Sequence, residues 1–498
     1  MFRNPYYKLV VKILAVILLS VFFGRLTMNG FMAVLVLYGV SCAFARKPGK
    51  SMLVYIIFPL FAIMNTLIFP RSGIYLFVAR IGTVLMAFCM LINISRRAGT
   101  ERIPLGMLYL YLLVAGFCSI YGYAPKVSWL KIVNVAFFIG GIIAGMSNLH
   151  NHYGDLMLVR ATIMAVVIFV IVGSLLTLPF PGICYSTSID NGYIREYGID
   201  EAAAMMMASG KTRLFGGITN QSQALSPIVA CMSGWVLCDM LFVERRFSWL
   251  HSTLLAISPI MLYMTRSRTG LLAYAVMLFL VLAYCGKKTL ISERLKQKLR
   301  PVVQLGCVLL IVGACVAEVK SGAMSAWIRK TSGDDLSLGE AFVASRLGKV
   351  DENWQDFKRN PLLGSGFQVG YWTTYNIKSH GEHGWGMFSA PIEKSIAPLM
   401  ILGETGIVGA IVFICVMFSF YGGCIRKRYY VTMTLFTVFL ATNMGEATIF
   451  APSGAGGIEW IICVAGGFVI DLLVKYDPQR LARQYAMCQE YGGEALRL

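Results

Sequence analysis

Arg266 and Arg268 flank a single serine in the hexapeptide TRSRTG, Thr265 to Gly270, which lies between two apolar runs so close that only a tight turn separates them. Guanidinium groups are planar, permanently charged forks that match phosphate oxygens. Two of them at a lipid interface suit a lipid pyrophosphate headgroup; simple anchoring to anionic headgroups by snorkelling is the alternative. Arg213 opens a second polar stretch, RLFGGITNQSQAL. There Gly216 and Gly217 permit close backbone approach, and Asn220, Gln221 and Gln223 can hydrogen-bond sugar hydroxyls or cap the helix that follows. His380 and His383, in KSHGEHGWG, have the near-neutral basicity of a general base toward an acceptor hydroxyl. Their H-x-x-H spacing beside Glu382 also permits a metal, but two histidines in a glycine-rich loop are a weak metal signal, and no metal is assigned. Glu393, next to Lys394 at the edge of an apolar run, is a third candidate base if partly desolvated, or half of an interfacial ion pair.

The elements that must position these groups are set by composition. The 498 residues are 57% hydrophobic and 14% charged, with 44 Lys+Arg against 25 Asp+Glu. A soluble domain is nearer half apolar and about 25% charged, so a water-soluble enzyme is excluded. Apolar runs long enough to cross roughly 30 Å of hydrocarbon fall near 7–23, 28–45, 51–69, 74–94, 103–120, 131–147, 156–179, 222–242, 249–264, 270–285, 301–317, 396–420, 430–450 and 457–474. Helices satisfy their own backbone groups in lipid. The fold class is therefore all-α, a polytopic transmembrane bundle of about 12 to 14 helices.

The +19 charge is a topology signal, with no need for nucleic acid. Basic residues gather in alternate short loops, such as Arg46, Lys47 and Lys50, or Arg426, Lys427 and Arg428, which the positive-inside rule makes cytoplasmic. Both termini then lie inside. The first helix resembles a signal peptide but has no small-x-small cleavage site and is expected to be retained. His150, His152 and His251 fall on the cytoplasmic side, leaving His380 and His383 outside. Ionisable groups within membrane spans are functional hypotheses by default. Arg80, the Arg266 and Arg268 pair, Glu404 and Glu446 all come out in or near the outer half.

Two outer loops, 180–221 and 318–395, exceed what a turn requires. The second balances nine basic against nine acidic residues and is expected to form a small helical periplasmic lid. Within it DENWQDFK, Asp351 to Lys358, has helical spacing, and Asn360 to Phe367, NPLLGSGF, breaks it. The organisation expected is thus N-terminal transmembrane helices (1–179), a transmembrane core with the arginine motifs (180–317), the lid (318–395), C-terminal transmembrane helices (396–474) and a cytoplasmic tail (475–498). Of thirteen cysteines only Cys184 lies in an outer loop, so no external disulfide framework is expected.

The succession RLFGGITNQ, then a helix ending in SRTG, then a long outer loop with a Trp-containing helix and NPLLGSGF, then LGETGIVG resembles the O-antigen ligase superfamily, which includes O-antigen and exopolysaccharide polymerases and pilin oligosaccharyltransferases. The motif order covers roughly 210–415. The resemblance implies a metal-independent, inverting glycosyltransferase of the bacterial inner membrane with its active site facing the periplasm. It needs no cofactor. Its donor would be a glycan on undecaprenyl pyrophosphate and its acceptor a glycan or the lipid A core of lipopolysaccharide. Arg213 and Arg268 match the family arginines that hold the pyrophosphate, with Arg266, Arg80, Asn220 and Glu404 as further substrate-binding groups. The family's base is a histidine about nine residues before the Glu of the ExG element, yet here that position is Ser395. His383, His380 or Glu393 must then take the role. A secondary transporter or flippase of lipid-linked glycans is the rival, disfavoured by candidate groups on one side and by so long an outer loop.

Overall fold

The computed structural model describes residues 5–26, 28–69, 73–93, 102–149, 153–185, 214–220, 222–245, 247–285, 350–369, 396–445, 447–452 and 454–475. Most of these residues are helical, and no strand occurs among them beyond one isolated antiparallel bridge, Met64 with Thr219. The order is α1 (Pro5–Leu26), α2 (Met28–Phe44), α3 (Pro48–Ile63), α4 (Gly73–Ile92), α5 (Gly106–Ile120), α6 (Pro125–Leu149), α7 (Tyr153–Leu176) and the single turn α8 (Pro181–Cys184). Then follow α9 (Ser222–Glu244), α10 (Trp249–Met264), α11 (Arg268–Cys285), α12 (350–359), α13 (Ala397–Lys427), α14 (Tyr430–Thr442) and α15 (Ala455–Lys475).

Six of these helices are long and apolar enough to cross a membrane and seven more are shorter apolar helices. Every expected span except 301–317, which lies outside the described residues, contains one. Of the expected lid, the helix at 350–359 is present; most of the remainder lies outside the described residues.

Burial sorts the helices into core and periphery. The helices α7, α9 and α15 are buried on nearly every face, with Trp235 and Trp460 fully enclosed. Outer helices instead turn large apolar side chains outward, such as Phe22 on α1, Leu37 on α2, Leu113 on α5 and Phe418 on α13. In lipid such faces need no protein cover. Helix α7 joins the two halves, packing on α1 and α3 on one side and α15 on the other.

Helices joined by short turns alternate in direction, so the ends of distant segments meet at the two ends of the bundle. At one end Asn65 N–H donates to Ile218 O at 2.7 Å, Tyr123 N–H to Ser365 O at 2.9 Å and Ala397 N–H to Asn443 O at 3.0 Å. This is the motif end. The opposite end contains the starts of α1, α7 and α10. Two π-helical stretches, Asp239–Glu244 in α9 and Ile461–Ala465 in α15, interrupt the regular ladder. Such bulges re-aim side chains and recur at functional sites.

Candidate active site

The two glycine-rich motifs NPLLGSGF and LGETG form one unit. Helix α13 is broken at Gly406, whose φ of 62° and ψ of −165° are not helical. A broken helix exposes carbonyls before the break and N–H groups after it. The 360–367 loop supplies both sets of partners. Ser365 and Gly366 N–H donate to Gly403 O and Glu404 O, each at 2.9 Å, while Ile407 and Val408 N–H donate to Pro361 O at 2.9 Å and Leu362 O at 3.3 Å. The approach is backbone to backbone. A Cβ on Gly364 (φ +72°) would lie 2.3 Å from the Glu404 carbonyl carbon, and one on Gly406 would lie 2.3 Å from Leu362 O. Side chains other than hydrogen are excluded at both positions.

Asn360 shapes the loop from within, its carboxamide accepting from Leu363 N–H at 3.3 Å and donating to Gly364 O at 3.0 Å. The far side of the loop is anchored on the α5–α6 corner, where Phe367 N–H donates to Ser119 Oγ at 2.9 Å and Lys131 Nζ to Gln368 O at 2.9 Å. Glu404 is thereby held at the break with no solvent exposure, beside the buried ring of Tyr111. A charge there interacts through low dielectric and far more strongly than in water.

The FGGIT stretch plugs the junction of α3, α7 and α8. Gly216 N–H donates to Cys184 O at 2.7 Å, and Asn220 N–H to Ile63 O at 2.9 Å. Ile218 N–H donates to Ser174 Oγ at 3.2 Å, and the Asn65 carboxamide to Ile183 O at 2.9 Å. Phe215 and Thr219 are fully buried. Asn220 is partly exposed where the plug enters α9, and its carboxamide oxygen has no hydrogen-bond partner among the described residues. Arg213, immediately before the plug, lies outside the described residues.

The TRSRTG turn is tight because Arg266 adopts a left-handed conformation, φ 49°, between α10 and α11. Ser267 Oγ then caps α11 by accepting from Gly270 N–H at 3.3 Å, as the first turn of a helix requires. Arg266 is partly exposed; Arg268 is the first residue of α11, its side chain outside the described residues. The turn is pressed between two neighbours. A Cβ on Gly270 would lie 1.9 Å from Ser226 Oγ of α9, and a Cβ on Gly445 would lie 1.9 Å from Thr269 Oγ1.

The turn with Arg266 and Arg268, the plug with Asn220 and the knot with Glu404 therefore share the motif end. Arg80 does not join them by packing. It lies two turns into α4, partly buried, and α4 packs on α2, α3 and α6 whereas α11 packs on α9, α10 and α14. His380, His383, Glu393 and Glu446 lie outside the described residues.

Sequence reasoning missed Arg160, Asp239, Glu459 and Asp471, all of them buried. Arg160 Nε and Nη2 donate to the two Asp239 oxygens at 2.7 and 2.8 Å and Nη2 also to Glu244 at 2.7 Å, while His251 Nε2 lies 2.9 Å from Asp239. The guanidinium stacks 4.1 Å from the Tyr6 ring centroid. Together with Tyr6, this cluster ties α1, α7, α9 and α10 at the opposite end. Asp471 of α15 accepts from Val431 and Thr432 N–H at 3.1 and 2.8 Å and so caps α14. Glu459 accepts from Thr448 Oγ1 at 2.8 Å. The signal was available: Arg160, Asp239, Glu459 and Asp471 each interrupt an apolar run, the same criterion that singled out Glu404.

Residues 253–414 match the family described as O-antigen ligase, from early in α10 through the turn, the knot and the break in α13. No curated protein matches the chain. The matched segment contains three of the four motifs whose order suggested that superfamily, and the two glycine-rich ones prove to be halves of one structural unit. Residues 253–414 thus match the O-antigen ligase family, and they are set within a multi-pass helical membrane protein.

Proposed function

We propose that the protein transfers or polymerises glycan from undecaprenyl pyrophosphate to an acceptor hydroxyl at the periplasmic face of the bacterial inner membrane, by inversion and without a metal. The observation that carries this reading is the convergence of the arginine turn, the Asn220 plug and the Glu404 knot at one end of the bundle, within and beside the matched segment. The acceptor oxygen attacks the anomeric carbon, the bond from that carbon to the pyrophosphate oxygen breaks, and the hydroxyl proton passes to a base. Negative charge grows on the leaving pyrophosphate. Guanidinium groups of Arg268 and Arg213, with Arg266 in support, would lower that barrier electrostatically, whereas Arg80, on a helix that does not pack on α11, is left out of that role. His383, His380 or Glu393 of the long loop takes the proton. Asn220 has hydrogen-bonding groups suited to sugar hydroxyls, and Glu404, enclosed at the break in α13, would support the substrate site from behind.

The test is Arg268→Ala in vesicles with lipid-linked donor and acceptor. Loss of undecaprenyl pyrophosphate release by a variant that still inserts and elutes as wild type is the expected outcome. Normal release would remove the pyrophosphate role. Surface glycans of a deletion strain then separate the two variants of the reaction: loss of every chain length marks a ligase, survival of single repeat units a polymerase.

A further inference from the structure

Beyond the matched segment, the connection between α14 and α15 touches three of the motifs at once. Ala397 N–H, at the start of the helix that contains Glu404, donates to Asn443 O at 3.0 Å. The Gln368 carboxamide, at the end of the 360–367 loop, donates to Phe450 O. Gly445 lies against Thr269, the neighbour of Arg268, so closely that a Cβ would meet Thr269 Oγ1 at 1.9 Å and Thr269 Cβ at 2.9 Å.

What holds this connection is a buried polar knot. Asn443 Oδ1 accepts from Thr448 and Ile449 N–H at 2.8 and 2.7 Å. Glu459 has no solvent exposure, and one of its oxygens accepts from Thr448 Oγ1 at 2.8 Å and lies 3.4 Å from Thr442 Oγ1, whose proton goes chiefly to Phe439 O at 2.7 Å. Trp460 Nε1 donates to Ile449 O at 2.6 Å. From below, Gly456 leaves room for the connection, since a Cβ there would lie 2.0 Å from Thr448 O. A buried carboxylate in an apolar helix is costly unless it does something that an apolar residue cannot. Here it joins the last residue of α14 to the far side of the connection.

We infer that Glu459 is a positioning residue, fixing the 443–452 connection and, through Gly445 against Thr269, the angle at which the arginine turn meets the donor. The inference rests on the function proposed for that turn. Glu459 itself reaches no substrate, being enclosed on all sides. Misplacing reacting groups by an ångström costs about 10- to 100-fold in rate, so Glu459→Leu should lower transfer by about that factor. Glu459→Gln should restore it, because the Gln carbonyl can accept from the same Thr448 hydroxyl.

A geometric readout independent of turnover completes the test. In full-length protein in native membranes, Thr269→Cys with Gly445→Cys is oxidised and the cross-linked peptide is quantified by mass spectrometry. The bond needs a Cβ separation of about 3.8 Å, within an ångström of the 2.9 Å found. High yield with Glu459, a several-fold lower yield with Glu459→Leu and recovery with Glu459→Gln are expected. Equal yields in the Leu and wild-type backgrounds, or no cross-link with Glu459 intact, would overturn the inference. Should the Leu variant not accumulate, Thr448→Val removes the hydroxyl donor at nearly constant volume and the same yields decide. Failure of the functional reading is distinct: Arg268→Ala would then retain transfer while the cross-link still depended on Glu459.

Discussion

Gly364→Ala isolates the unit that joins the two glycine-rich motifs. The new Cβ would sit 2.3 Å from the Glu404 carbonyl carbon and 2.5 Å from both Glu404 O and Thr405 N. None of these atoms belongs to a side chain that can rotate away, so the loop must withdraw. Holding a non-glycine residue at φ +72° costs about 1–2 kcal/mol. Withdrawal also gives up the bonds from Ser365 and Gly366 to Gly403 and Glu404, each contributing about 1 kcal/mol net. The total is about 3–4 kcal/mol, large for one methyl group. Thermal melts of the detergent-solubilised protein, followed by size-exclusion with fluorescence detection, measure it. Gly422→Ala is the internal reference, since Gly422 lies in the second half of α13 with nothing within 4 Å of its Cβ position. There the same change should stabilise by about 0.5–1 kcal/mol through helix propensity. If both variants melt alike, the loop does not substitute for the missing helical turn and the description of the knot is wrong.

Two further outcomes follow from the buried charges. Arg160→Met leaves Asp239 and Glu244 without their guanidinium and should cost about 3–5 kcal/mol; adding Asp239→Leu should recover part of this, with a coupling above about 1 kcal/mol in the double-mutant cycle, and strict additivity of the melts would show that the pair is not coupled. Asp471→Ala removes the acceptor for Val431 N–H, Thr432 N–H and the Thr432 hydroxyl and should cost about 1–2 kcal/mol, visible as faster hydrogen exchange confined to the first turn of α14.

The class of molecule and its helices were legible in the sequence because a lipid solvent imposes one rule on every span: an apolar run of fixed minimum length. Hence each expected span within the described residues contains a helix, even where three or four residues separate neighbours. The motifs were legible as words for a related reason. Glycine and proline clusters such as NPLLGSGF mark places where regular structure must stop, and Arg266 and Arg268 are conspicuous between apolar runs.

What those words do to one another was decided by tertiary structure alone. Gly364 and Gly406 are 42 positions apart, and periodicity is silent about pairs so distant. Only the packed bundle makes the loop around Gly364 the missing turn of the helix broken at Gly406. The same holds for Arg160 and Asp239, each unwelcome alone in an apolar helix and jointly a neutral, bidentate contact. Composition sets the price of burying such a charge; the partner that offsets it comes from another helix, and which helices become neighbours depends on how all of them pack at once.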